Sequence, residues 1–174
     1  MQTELSHERL DLYRVYLEVA DQCSDIISGA EEPIAALDHL DRAIESIGVN
    51  FMRANVHAAG SAQRSAGLDV SIASAHECAA SLDVCTAKQT IDAEAYASIM
   101  GRLWRIRGML LGMKRVQGGE VAEPSASYGS PWFPFMELDL YRVSMESVRW
   151  THDLLKELAS TRRARRKLVL LGFL

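Results

Sequence analysis

Residues 68–85, LDVSIASAHECAASLDVC, decide the fold of this chain. Five apolar residues in this stretch follow one another at steps of 4, 3, 4 and 3, which keeps them on one face of an α-helix. Alanines and serines occupy many of the other positions, so neighbouring helices can approach closely. We therefore predict a thin central helix around which the other helices gather. Its apolar face consists of Leu68, Ile72, Ala75, Ala79 and Leu82.

The same alternation of 3 and 4 predicts four further helices. The first covers about residues 5–28, and the second opens at Glu31-Glu32-Pro33, where proline and acids suit a helix N-terminus. Residues 58–67 are rich in Ala, Gly and Ser and are predicted to connect the second helix to the central one. Asp92 is the predicted N-cap of a fourth helix that ends near Lys114 or Arg115. A fifth helix is predicted from about residue 136 to 160.

Four amphipathic helices with short connections predict an all-α fold, an antiparallel up-down-up-down four-helix bundle over residues 1–116. Residues 117–131 are rich in Gly, Ser and Pro and are predicted to form a flexible linker. Residues 132–174 would add an extra C-terminal helix with a basic and apolar tail. A chain of 174 residues is long enough to bury a core.

Composition narrows the class of protein. Apolar residues make up 48% of the chain, which argues against disorder, and the net charge of −4 gives no overall basic field for nucleic acid. The polar N-terminus predicts no signal peptide, and no apolar run approaches the roughly 20 residues that span a bilayer. Three cysteines on helical faces fit a reduced, cytoplasmic protein.

The start of the first helix is repeated in the fifth. The sequence Leu-Asp-Leu-Tyr-Arg-Val occupies residues 10–15 and again residues 138–143, and Glu18 recurs as Glu146. The fifth helix therefore needs a surface that accepts its apolar stripe, on its own bundle, on a second copy or on an unrelated partner. This stripe is Leu138, Tyr141, Met145, Val148 and Leu155 with His152 between them, and the predicted anchors before it are Trp132, Phe133 and Phe135.

Three segments together resemble a known family. Residues 46–50 (SIGVN), residues 74–83 (SAHECAASLD) and the helix over residues 91–115 are similar to bacterial four-helix-bundle proteins related to those encoded in 23S ribosomal RNA intervening sequences. Residues 10–15 also resemble the first helix of that family. The resemblance covers about residues 5–116, and it departs where family members usually carry Asn-Ile-Ala-Glu-Gly. Here Asn50 is followed by Phe-Met-Arg-Ala.

The resemblance implies a bundle that often assembles as a pentameric ring and has no established enzymatic activity. A related branch, the accessory variability proteins of diversity-generating retroelements, binds nucleic acid and partners a reverse transcriptase. The sequence therefore predicts a non-catalytic oligomeric scaffold or adaptor. The alternative, which that branch suggests, is a nucleic-acid-binding accessory protein that contacts RNA or DNA and could partner a reverse transcriptase. A protein partner could bind through the C-terminal helix.

Residue patterns typical of catalysis are missing from the sequence. A di-iron bundle needs paired Glu-x-x-His helices, and only Glu4 and His7 have this spacing. His76 and Cys78 lie two positions apart and point in different directions on a helix, whereas Cys78 and Cys85 share a face and are predicted to pack between helices. No phosphate-binding glycine loop or nucleophile motif occurs. We therefore predict no enzyme activity, no metal and no cofactor.

Two basic clusters and three glycines are the candidate sites. The cluster on the fourth helix is either a solvated face or a phosphate-binding surface. The tail cluster is a solubilising end, a nucleic-acid contact or an acidic-membrane contact. Glycine inside a helix costs about 1 kcal/mol relative to Ala, which indicates close approach by a neighbour within the chain or in another subunit. The clusters are Arg102, Arg105, Arg107, Lys114 and Arg115, and Arg162, Arg163, Arg165, Arg166 and Lys167, and the glycines are Gly101, Gly108 and Gly112.

Overall fold

The computed structural model of the chain describes residues 10–30, 32, 34–117 and 134–170. These residues form α-helices and one 3-10 helix, with no strand among them, so the predicted all-α class is confirmed. In chain order the helices are α1 (Asp11–Gly29), α2 (Ala35–Asn55), α3 (Ala62–Ala87), α4 (Ala93–Gln117) and α5 (Asp139–Leu170). The 3-10 helix, Pro134–Glu137, lies directly before α5. The predicted linker over residues 117–131 lies, apart from residue 117, outside the described residues.

Local capping explains where α3 and α4 begin. The Ser61 hydroxyl accepts a hydrogen bond from the Arg64 N–H at 3.2 Å, so α3 starts at Ala62. The predicted connection over residues 58–67 is therefore wrong in its second half, and the turn is confined to the residues around Gly60, whose φ is 81°. Asp92 accepts from the Ala95 N–H at 2.8 Å, which confirms the predicted N-cap of α4.

The fifth helix is longer than predicted. It begins at Asp139 and continues to Leu170, ten residues beyond the predicted end. Residues 161–170 are mostly Arg, Lys, Ala and Leu, which rank among the better helix formers, and no glycine or proline interrupts them. The basic cluster over residues 162–167 therefore belongs to α5 and is not a tail that follows it.

Helices α1–α4 share one hydrophobic core. Helix α1 packs against α2 and α4, and α3 packs against α2, α4 and α5, so α3 has the most neighbours, as expected for a central helix. Leu68, Ala75, Ala79 and Leu82 are buried and Ile72 is half-buried, which confirms the apolar face predicted for α3. The largest fully buried side chains of this core include Val19, Leu40, Ile47, Phe51, Leu103, Ile106 and Leu110.

Small residues bring α2 and α3 together. The Ser71 hydroxyl donates to the Ile47 carbonyl at 3.0 Å, and Ser46 and Ser74 share a hydrogen bond of 2.7 Å between their hydroxyls. A Cβ built on Gly67 would lie 2.9 Å from Ala54 Cβ, closer than side chains normally approach. The backbones of α2 and α3 therefore approach each other closely at Gly67.

Two of the glycines of α4, Gly101 and Gly108, do not have such a neighbour. A Cβ built on Gly101 or Gly108 meets no atom within 4 Å, and Gly112 is half-buried. The prediction that close approach within the chain explains Gly101 and Gly108 is wrong, because open space surrounds both positions. A subunit interface at these glycines stays a prediction. No helix in the described part of the chain is long and apolar enough to cross a membrane.

Candidate interaction site on the C-terminal helix

A carboxylate on α3 accepts hydrogen bonds from two tyrosine hydroxyls that belong to different helices. The Asp83 side chain accepts a hydrogen bond from Tyr96 Oη of α4 at 2.6 Å, and its second oxygen accepts one from Tyr141 Oη of α5. Burial and then the bond to Asp83 raise the pKa of both tyrosines, so the phenols remain protonated donors. Asp83 therefore fastens α5 to the four-helix core.

Aromatic packing supports this attachment. The Phe135 ring lies edge-on to the Tyr141 ring with 4.9 Å between centroids, and its centroid is 5.9 Å from that of His76 on α3. His76 Nε2 accepts from Arg107 Nε at 3.0 Å, and burial followed by the Arg107 charge lowers the pKa of His76. Phe135 and Tyr141 thus contact the core. The other two predicted anchors, Trp132 and Phe133, lie outside the described residues.

The face of α5 that meets α3 is narrower than predicted. Met145 is buried, at 6% exposure, and Tyr141, Val148 and His152 are half-buried on the same side of the helix. Leu138 and Leu155 were expected in this stripe, but they are 58% and 60% exposed because they lie at its two edges. The docked face therefore consists of four residues at steps of 4, 3 and 4.

A second apolar face of α5 points away from the core. Leu140 is 78% exposed, Val143 58% and Trp150 67%, which is unusual for side chains of this size. At about 100° per residue this face lies roughly 140° around the helix from the docked face. We call it the outward face of α5. Its members are Leu140, Val143, Trp150, Leu154 and Leu158, with Ser147 at the remaining position of the spacing.

The repeated sequence behaves differently in its two positions. In α1, Leu12 and Val15 are each 4% exposed and belong to the core. Their equivalents in α5, Leu140 and Val143, belong to the outward face. The same six residues therefore bury an apolar face in α1 and present it to solvent in α5.

The basic cluster of α4 largely braces the helix against its neighbours. Arg102 Nε donates to Glu18 of α1 at 2.9 Å, Arg107 donates to His76 of α3, and Lys114 pairs with Asp69 of α3. The Arg107 guanidinium also lies 5.1 Å from the centroid of the Trp104 ring. Arg105 and Arg115 are exposed. Arg102, Arg107 and Lys114 thus each have a partner on another helix.

The structure describes only two side chains of the basic cluster near the end of α5. Arg162 and Arg163 are exposed on the helix. The side chains of Arg165, Arg166 and Lys167 lie outside the described part of the structure. The two described arginines lie beyond the outward face residues along the chain, on the half of α5 farthest from Tyr141.

A cleft of about 1070 Å³ separates α5 from the loops at one end of the core. Its walls come from the α1–α2 connection, the α3–α4 connection and α5. Lys156 Nζ donates to Gln89 Oε1 across it at 2.7 Å, while Nε2 of His152 is enclosed and has no hydrogen-bond partner among the described residues. Sequence reasoning missed this cleft because no local motif links three such distant segments.

The cysteines do not form a reactive or metal-binding site. Cys23, Cys78 and Cys85 are buried and free, and burial raises the pKa of the Cys23 thiol to about 12. No group of three His, Cys, Asp or Glu side chains in the described residues could hold a metal ion. These thiols are small packing residues of the core.

Comparisons of the chain with protein-family models, with curated proteins and with solved structures gave no match.

Proposed function

We propose that the protein is a non-catalytic oligomeric scaffold or adaptor in which α5 presents a docking face. One observation carries the proposal: the outward face of α5 exposes Leu140, Val143 and Trp150 although the opposite face is already fastened to the core. Exposed apolar patches on otherwise polar surfaces are typical of protein–protein contact sites. A helix that displays such a patch suits recognition of another helix.

The arrangement of α1–α4 is part of the proposal. Each of these helices packs against two others in the cyclic order α1, α2, α3, α4, and among the described residues the backbones of α1 and α3, and of α2 and α4, do not approach each other closely. Short connections between consecutive neighbours favour an antiparallel up-down-up-down bundle. This architecture supports the resemblance to the intervening-sequence family, and the pentamer expected from that family stays a prediction.

The mass of the intact protein in solution tests the proposal. Light scattering coupled to size exclusion, over a range of micromolar concentrations, should give a multiple of the 19.3 kDa chain mass. Because an apolar contact is weakly salt-dependent, the mass should be kept at high salt. A mass of one chain at every concentration would contradict the oligomeric scaffold.

Nucleic-acid binding is the second candidate, and the exposed Arg162 and Arg163 of α5 favour it. Five cations fall within residues 162–167, a density that suits phosphate contacts. Binding would be non-specific, with a log–log salt slope near −0.9 for each phosphate neutralised on duplex DNA. Truncation after Thr161 should then abolish RNA or DNA binding, whereas glutamine at Arg102, Arg105 and Arg107 should change it little. Equal low-salt affinity of the truncated and intact chains would exclude this candidate.

A further inference from the structure

We propose that the occupant of the outward face of α5 is the same face of a second copy of this chain, with the two α5 helices antiparallel. The proposal rests on the scaffold function proposed above and names its partner. It makes α5 a helix with two interfaces, one with its own α3 and one with its counterpart in the second copy.

The spacing of the outward face suits pairing with another helix. Leu140, Val143, Ser147, Trp150 and Leu154 follow one another at steps of 3, 4, 3 and 4, the 3.5-residue repeat of a two-helix seam. From residue 140 to residue 158 the face extends about 27 Å along the helix axis at 1.5 Å per residue. One face can pair with itself about a two-fold axis, which closes the assembly at two copies.

The charges of α5 determine the orientation. In the first half of the helix Asp139, Glu146 and Asp153 border the outward face, each seven residues from the next, while Arg142 and Arg149 lie farther round the helix and Arg142 pairs with Asp139. The second half carries the five cations of residues 162–167. Parallel helices would place the two cationic clusters side by side, and like charges in such positions oppose pairing. Antiparallel helices that pair over residues 140–158 keep the two cationic clusters at opposite ends of the seam and place each near the start of α5 in the other copy, where Asp139 lies, which favours this orientation.

A domain-swapped assembly, in which α5 of one copy takes the place of α1 in another, agrees less well with the structure than antiparallel pairing does. In α1 the core face continues from Val15 through Val19 and Cys23, which are fully buried. The equivalent residues of α5 are Ser147 and Thr151, so the exchange would bury two hydroxyls where the core holds apolar groups. The repeat reproduces only the first part of the α1 face. The rest of the outward face, with Trp150 at the position of Gln22, fits a different surface.

Solution mass and a paired substitution test whether the outward face is the interface. The intact protein should have twice the 19.3 kDa chain mass, and the double variant Leu140→Glu/Trp150→Glu should have the mass of one chain. Both residues are exposed, so the variant should keep the helical circular dichroism of the parent. The matched control is Val56→Glu, at an apolar position 81% exposed after α2, which should keep the twofold mass.

Spin labels test the orientation. Cysteines replacing the exposed Ser144 and Ser160, one at a time, can be labelled selectively because the native thiols are buried. Parallel copies related by a two-fold axis would give short distances at both positions. In an antiparallel pair the labelled positions lie 16 residues apart in each copy, so at least one distance must exceed about 24 Å, whatever the register.

Each outcome supports or overturns the pairing. A twofold mass that the double variant loses, together with one long distance, supports it. A mass of five chains, or another odd multiple, overturns it and leaves the scaffold function standing, whereas a mass of one chain overturns both. A twofold mass that survives in the double variant places the interface elsewhere. Two short distances overturn the antiparallel arrangement.

Discussion

Two helical glycines in very different surroundings provide a matched pair of substitutions. Gly67→Ala would place a Cβ 2.9 Å from Ala54 Cβ and 3.1 Å from the Asn50 carbonyl oxygen, so α2 and α3 must separate. We expect the free energy of unfolding to fall by about 1–2 kcal/mol, because overpacking outweighs the gain in helix propensity. Chemical denaturation followed by circular dichroism measures the change.

Gly101→Ala is the control for this substitution. Nothing lies within 4 Å of its added Cβ, so only the helix propensity changes and the free energy of unfolding should rise by up to about 1 kcal/mol. Equal effects of the two substitutions would show that α2 and α3 are not closely packed at Gly67. A lower oligomer mass in Gly101→Ala would instead place a subunit contact at Gly101.

His76 makes stability depend on pH. Burial and the charge of Arg107 lower the pKa of His76 from its ordinary value of 6.5, and Nε2 must be unprotonated to accept from Arg107. Below that value the unfolded chain binds more protons at this residue than the folded chain does, so stability falls as the pH falls. The contribution is fully present above about pH 6.5 and is lost as the pH falls through the lowered folded-state pKa.

The variant His76→Gln should lose this contribution, because a glutamine carbonyl accepts from Arg107 without titrating. We expect the loss of unfolding free energy between about pH 7.5 and pH 5.5 to be smaller in His76→Gln than in the parent. Ala73→Gln, at an exposed position of α3, controls for the added amide. The prediction fails if the two glutamine variants show the same pH dependence.

At the scale of the helices, few groups attach α5 to the core. Removal of a single atom should therefore weaken this attachment measurably. Tyr141→Phe removes the phenol that donates to Asp83 but keeps the ring against Phe135. Loss of a hydrogen bond to a charged acceptor costs about 1–3 kcal/mol, so amides of α5 should exchange faster by roughly tenfold or more. Hydrogen exchange measured by mass spectrometry resolves α5 from the core.

The matched control for this helix is Ser144→Ala. It also removes a hydroxyl from α5, but the hydroxyl donates to the Leu140 carbonyl of the same helix and does not reach the core. Its α5 should exchange at nearly the parental rate. Were Tyr141→Phe to exchange no faster than Ser144→Ala, the bond to Asp83 would not be what holds α5 in place.

The sequence predicted most helices because each apolar stripe has one clear direction. The stripe of α3 and the Asp92 cap follow from spacing and from the chemistry of one side chain, and both are confirmed. Helix α5 has apolar residues on two faces. The predicted stripe contains the face that meets the core, but spacing did not show that a second apolar face would stay exposed. Nor could spacing identify the partner of Tyr141, a carboxylate on α3 that lies 58 residues away in the sequence.

The other features that the sequence did not predict correctly share a physical cause. The start of α3 depends on the Ser61 cap, which the sequence presents amid small residues typical of a loop. The cleft beside Lys156 and the contact between Asp83, Tyr96 and Tyr141 join segments that no local pattern connects. Sequence periodicity gives the direction of a face within one helix, but which helices meet is decided by packing between distant segments.

On the scale of the whole molecule, the four-helix core and α5 differ greatly in how many apolar side chains they bury. The core draws nearly all of its buried apolar side chains from α1–α4, and Met145 is the one buried apolar residue among the described side chains of α5. Burial of such side chains is the dominant favourable term in folding, so the stability of the core should depend little on α5. The outward face, in contrast, belongs to α5 alone.

Deletion of residues 132–174 tests this division. The shortened chain should keep the helical signal of α1–α4 and a cooperative thermal transition, because its core loses few contacts. It should also lose the twofold mass, because the outward face is removed with α5. Circular dichroism and light scattering measure the two properties on one sample. A shortened chain without a cooperative transition would show that α5 is required for the core to fold. One that folds and keeps the parental oligomer would assign assembly to α1–α4, and the glycines of α4 would then be the surface to test next.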